Sequence, residues 1–361
     1  MFHKEPDGTI IDDNGKIIFF SCERFVKDIC QGECCFICGI SPSATKFNNE
    51  HILPNWLLRH FGLQGKSLTL PNNTDFKYAK YTIPCCEGCN TLMGREIEEP
   101  IRELVVQGGE AVNDYLRKES QHGRHLFSTW MALIFIKAHL KDRRLRFSRD
   151  IRDPPDPISS LHTWEDLHHI YCVARGFYTG CEIDVSVFGS FVTLPARDEG
   201  ETSDAVFDWI TITNMQTMLL RLGDLILLTV FNDSSGVLVK AMPTIERLSG
   251  SLSFLQWREL AAEFAFLNCH ILERPRYHSA FVMKNEEYRI FAELPSAGIR
   301  LSEKDLSIRG SIMHFLLRAT LPNLVVKDMS RSEFEQSVIS GTYTFLFDEF
   351  GNFIAPSDDE T

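Results

Sequence analysis

Apolar and polar positions alternate along residues 9–20, TIIDDNGKIIFF, on either side of Asn14-Gly15, a pattern that predicts a small hairpin. Further on, NNEHILPNWLLRHFGL places the short strand-like run HILP, headed by His51, ahead of an Asn-rich loop at 71–80. REIEEPIRELVVQ, after Gly94, reads as helix, with Pro100 kinking it or starting a second one. Residues 111–146 continue as helix, apolar through LFSTWMALIFIKAHL and strongly basic at the end. RDPPDP at 152–157 has the composition of a linker. Beyond it, HIYCVARGFY, CEIDVSVFGSFVTL, FDWITITNM and LGDLILLTVF read as strands and NDSSG as a turn. Helices are expected over 254–269 and near 309–319 and 331–339. The order suggests an α+β second domain, and there is no internal repeat.

Charge separates the halves. Residues 1–152 carry 21 Lys and Arg against 19 Asp and Glu, whereas 153–361 carry 16 against 30. An anionic polymer would be held by the front of the chain, and the acidic remainder suits a protein partner, a small-molecule activator or a restraining role. No apolar run reaches the roughly 20 residues that span a bilayer, and the first residues, MFHKEPDG, are charged where a signal peptide is apolar. The expectation is a cytoplasmic protein with no membrane contact.

Eight of the eleven cysteines precede residue 90. In a reducing compartment such clustering argues for metal rather than disulfides. A C-x-x-C turn supplies two corners of a tetrahedral zinc site, so Cys35/Cys38 and Cys86/Cys89 together make a structural Zn²⁺ site that closes a long loop. Cys34 and Cys85 directly precede these pairs but lack a partner at the right spacing, since positions 37 and 88 are Ile37 and Gly88. They, Cys22 and Cys30 read as small buried residues.

Two features of this region have both a bland and a chemical reading. Asn90, just after the last cysteine, is suited to a turn with positive φ. His51, beside Glu50 within the closed loop, is by itself most simply a structural histidine. Taken together, C-x-x-C, then Glu50-His51, then C-x-x-C-Asn90 resembles the HNH, or ββα-metal, nucleases, in particular the zinc-containing branch that includes phage endonuclease VII. The resemblance covers about residues 33–100. It implies His51 as general base and Glu50 with Asn90 as ligands of a catalytic Mg²⁺ or Mn²⁺ ion. The family has Asp at the position of Glu50, and its middle Asn falls on KYAKYTIP, which contains none; Asn72 and Asn73 lie in the preceding loop.

Near that motif, KAHLKDRRLRFSRDIR contains Lys137, Lys141, Arg143, Arg144, Arg146, Arg149 and Arg152, which suggests either a phosphate-tracking strip or a solvated helix end. Lys141, Arg143, Arg144 and Arg146, with Arg59 and Arg95, are the candidate nucleic-acid contacts. The expected organisation is an HNH-like zinc domain over 1–108, a helical connector with a basic end over 109–152, and an acidic α+β regulatory or sensing domain over 153–361. The function that the resemblance implies is a metal-dependent endonuclease acting on nucleic acid, with DNA the first expectation. By the same resemblance, an HNH domain fused to a sensing domain looks like a bacterial anti-phage defence effector. The alternatives are a non-catalytic zinc-stapled binding module and a junction-resolving endonuclease.

Overall fold

The hairpin expected at 9–20 forms in the computed structural model, with Ile10–Asp12 against Ile17–Phe19 and Phe2–Lys4 added as a third strand. The model describes residues 2–197, 206–284, 286–324, 326 and 329–355. The chain is mixed α+β and divides into two compact units. The first comprises Met1–Gln107, Asp114–Val187 and Tyr277–Phe291; the second comprises Gly108–Asn113, Phe188–Arg276 and Ala292–Thr361.

The division differs from the expected one. Residues 152–157 do not separate the units, because the chain turns back on the end of the long helix Ser120–Asp142: Ile158 N donates to the Leu145 carbonyl at 2.8 Å and Arg146 pairs with Pro157. The boundary falls at Val187/Phe188.

In the first unit, Phe47–His51 and Thr82–Cys86 pair antiparallel and the chain runs from Cys86 directly into the helix Glu87–Met93. That helix continues through a π-helical turn, Gly94–Glu98, into Glu99–Val105, with Pro100 just after the turn, where Glu99 N donates to the Gly94 carbonyl. The helix Ser120–Asp142 is buried nearly all round from Leu126 to Leu140. HIYCVARGFY is not a strand. His168–Ala174 is helical and packs on the long helix, so tertiary burial of Ile170, Tyr171, Val173 and Ala174 overrides the β-branched and aromatic composition.

His139, in the helix Ser120–Asp142, is buried with its Nδ1 2.6 Å from the Phe135 carbonyl; burial pushes it down to about 3 from an ordinary 6.5. Between those values the unfolded chain binds the extra proton, so stability falls as pH drops through the window. From pH 8 to pH 5 His139 should remove about 2 kcal/mol. Urea unfolding should show a smaller acid-side loss for His139→Phe than for wild type, and equal losses would contradict this.

The second unit is built on a four-stranded antiparallel sheet in the order Phe207–Ile212, Thr217–Leu222, Leu225–Val230, Ser190–Pro195. The two central strands are buried at every position and join through a two-residue turn in which Gly223 has φ of 66°. The expected helix over 254–269 is Phe254–Cys269, which lays Trp257, Leu260, Ala261 and Phe264 on the sheet. Leu306–Leu317 and Arg331–Ile339 pack on its other side. NDSSG is followed by a helix that the sequence reading lacks, Gly236–Ile245. Among the described residues, no helix is long and apolar enough to cross a membrane.

Candidate metal centre and active site

The first cysteine pair sits on a tight turn in which Gly39 N donates to the Cys35 carbonyl at 2.8 Å and Cys35 N to the Ile40 carbonyl at 2.9 Å. Gly39 has φ of 78°, and a Cβ there would meet the Phe20 ring at 2.6 Å, so only glycine closes the turn. The second pair straddles a strand-to-helix junction: Cys86 ends the strand and caps the helix, its Sγ accepting from Cys89 N at 3.5 Å. The positive end of a helix favours thiolate there.

The Sγ atoms of Cys35, Cys38, Cys86 and Cys89 all lie within 4.8 Å of one another, with Cys38 and Cys86 3.7 Å apart. Sulfur atoms at the corners of a zinc tetrahedron are separated by about 3.8 Å, given a Zn–S distance of about 2.3 Å. The four cysteines can therefore hold a metal ion such as zinc, and they are the four that the x₂ spacing selects. Cys85, 3.9 Å from the Cys35 Sγ, alternates with Cys86 along the strand and stands outside this group. Hydrogen bonds from Cys38, Cys85 and Cys89 hold the Cys35 thiol far below its ordinary range, while the bond to Cys35 pushes Cys38 up to about 12 and raises Cys89 as well. A divalent cation shared by the four sulfurs would favour their thiolate forms.

A residue outside the sequence reading supports this centre. Arg175 is fully buried and donates to the carbonyls of Ile37 (2.5 Å), Ile17 (2.7 Å) and Ile18 (3.2 Å), tying the first cysteine turn to the N-terminal hairpin. No feature of HIYCVARGFY, read as a strand, gave that role away.

Strand register places Glu50 opposite Ile83, His51 opposite Thr82 and Asn48 opposite Cys85. His51 is thus the last residue of its strand, not the first of a strand HILP; residues 52 and 53 form a bend. By alternation Asn48 and Glu50 share one face and His51 lies on the other. Asn90, in the first turns of the helix, reaches the Asn48 face: its Nδ2 donates to Asn48 Oδ1 at 2.8 Å, which leaves Asn90 Oδ1 as an available acceptor. The His51 ring is half-buried and makes no hydrogen bond or ion pair with a described residue.

Glu50 is buried and paired. Lys137 Nζ, from the long helix, donates to Glu50 Oε1 at 2.6 Å and to the His51 carbonyl at 2.8 Å, and lies 3.7 Å from Glu98 Oε1. Lys137 is 1 % exposed. Burial pulls it down, but the two carboxylates more than offset this and raise it above its ordinary range. Burial likewise pushes Glu98 up to about 7. Lys137 therefore leaves the expected basic strip and becomes part of the core. A single lysine inside the apolar run LIFIKAHL was the available signal, because a charge at such a position needs a buried partner. Lys137→Met would strand Glu50 without its counter-ion and should cost about 3–5 kcal/mol in denaturant unfolding. A loss under about 1 kcal/mol would show the pair to be dispensable.

The remaining basic candidates are dispersed. The helix ends at Asp142, so residues 143–152 form turns rather than a helical strip. Lys141 lies 5.5 Å from the Phe76 ring centroid. Arg143 and Arg144 meet Glu33, and Arg146 donates to the Asp153 carbonyl at 2.8 Å. Arg59 is exposed at the end of the helix Asn55–His60, and Arg95 pairs with Glu96. Asn72 donates to the Arg146 carbonyl at 2.8 Å, and Asn73 has φ of 59°. Asn72 makes no hydrogen bond to Glu50, His51 or Asn90 among the described residues.

Comparison of the chain with protein-family models, with curated proteins and with solved structures gives no match.

Proposed function

We propose that the protein is a metal-dependent endonuclease of HNH type, hydrolysing phosphodiester bonds in nucleic acid, with DNA as the first substrate to test. The supporting observation is the order strand, strand, helix closed by four cysteines, in which Glu50 and His51 are the last two residues of the first strand and Asn90 stands in the helix. Glu50 Oε2, which has no hydrogen-bond partner among the described residues, and Asn90 Oδ1 would hold a hard divalent ion such as Mg²⁺ or Mn²⁺. Bound there, such an ion supplies stabilisation of the negative charge that develops on the scissile phosphate. The residues do the rest. Lys137 fixes Glu50 and the backbone of His51 relative to each other, Asn48 sets the orientation of the Asn90 amide, and an imidazole nitrogen of His51 takes the proton from the attacking water. The acidic second unit would control or target cleavage, as in an anti-phage effector.

The pairing of Glu50 with Lys137 favours a second reading, a zinc-stapled binding module without catalysis, because the ammonium already neutralises the carboxylate. Cleavage of linear and branched DNA with Mg²⁺ or Mn²⁺ separates the two. The nuclease reading expects metal-dependent cutting that Asn90→Ala reduces at least about tenfold, the loss of one hydrogen-bonding ligand to a charged centre. Zinc-loaded wild type that binds nucleic acid but never cuts it supports the module instead. Preference for branched over linear duplex would make the enzyme junction-resolving.

A further inference from the structure

Beside the first cysteine pair, a groove of about 360 Å³ opens between residues 30–33, the end of the long helix and residues 157–164. Arg143, Arg144, Ser159, Ser160 and Trp164 are among the residues that line it. Glu33 lies between the two arginines, one oxygen to each: Oε1 is 3.4 Å from Arg143 Nη2, and Oε2 pairs with Arg144 Nη2.

The two sides of that contact are held very differently. Arg143 is anchored, its Nη1 donating to the carbonyls of Ile29 and Cys30, each at 3.3 Å, and of Gly32. Glu33 is 63 % exposed. An exposed carboxylate holds such a site weakly, whereas the anchored Arg143 guanidinium, with that of Arg144 beside it, matches the oxygens of a phosphate. Trp164 lines the same groove, its ring perpendicular to the His162 ring at 5.5 Å, and an aromatic side chain is a platform on which a base stacks.

We propose that this groove is a nucleotide-phosphate site in which the Glu33 carboxylate stands in for the phosphate, and that a ligand displaces Glu33 to place its phosphate on Arg143 and Arg144 and its base against Trp164. The volume suits one nucleotide unit. The phosphate belongs either to a free nucleotide or to one residue of a strand; the strand alone rests on the nuclease reading, and the site itself does not.

The test measures binding to the full-length protein, without added Mg²⁺ or Mn²⁺, of two probes: AMP by calorimetry and a fluorescent single-stranded oligonucleotide by anisotropy. Glu33→Gln removes the competing charge and should tighten binding about two- to fivefold. Arg144→Ala should weaken it about tenfold, and Trp164→Leu at least about fivefold. These changes with AMP identify a free nucleotide as ligand; the same changes with the oligonucleotide alone identify a strand. Unchanged affinity of all three variants for both probes, with wild-type unfolding midpoints, overturns the proposal. Because the readout is binding, a protein that shows these shifts yet cuts nothing retains the site and loses only the nuclease reading.

Discussion

Stripping bound metal from the protein should unfold the region around residues 33–93, and metal analysis before stripping should find about one zinc per chain. The four cysteines are contributed by two turns with 47 residues between their nearest members, Cys38 and Cys86. Structural zinc bound by thiolates is worth about 10–16 kcal/mol at neutral pH, comparable to or greater than the 5–15 kcal/mol stability of a whole domain. Few of the other contacts here replace it: the strand pair Phe47–His51 with Thr82–Cys86 is only two strands wide and would be marginal alone. Treatment with a strong chelator and a thiol-reactive mercurial should therefore abolish cooperative unfolding of the first unit. Cys35→Ser and Cys86→Ser should lose the zinc, while Cys34→Ser and Cys85→Ser keep it. Full zinc in Cys86→Ser, or an unchanged melting profile after verified metal removal, would contradict the assignment.

The second large effect falls on His51. If its imidazole takes the proton from water, His51→Ala should lower the cleavage rate by about 10²–10⁴-fold, the usual worth of a positioned general base. The ring is suited to the task because no described residue engages it, while its backbone is held by Lys137 through the His51 carbonyl. The variant should keep its zinc and its fold, since the lysine contact is to the main chain and the side chain packs at a strand end that is not fully buried. His51→Ala that cuts as fast as wild type would remove the general-base role.

The cysteine cluster was legible in the sequence because a C-x-x-C turn imposes geometry locally: with the right spacing, the two sulfurs of each pair converge whatever surrounds them. The helix Phe254–Cys269 and the hairpin around Asn14-Gly15 were legible for similar reasons, a sustained apolar pattern in one and turn chemistry in the other. What escaped was set by partners distant in sequence. HIYCVA has strand composition, but the long helix offers it a surface on which only a helix buries Ile170 and Tyr171 together with Val173 and Ala174. Gly236–Ile245 was hidden by the Ser-Ser-Gly turn that precedes it and by Pro243 within it. The basic run around Lys137 read as one charged surface, yet its first lysine faces Glu50, 87 residues away in sequence. Charge alone does not say which cation is buried; the apolar residues flanking it do.

The most direct test of the nuclease reading is nicking of supercoiled plasmid by highly purified protein with Mn²⁺, comparing wild type with His51→Ala and measuring zinc in both samples. Wild type should nick in a metal-dependent manner, and the variant should not, at equal zinc content. Wild-type and His51→Ala proteins that nick at the same rate, both fully zinc-loaded, would contradict the nuclease reading.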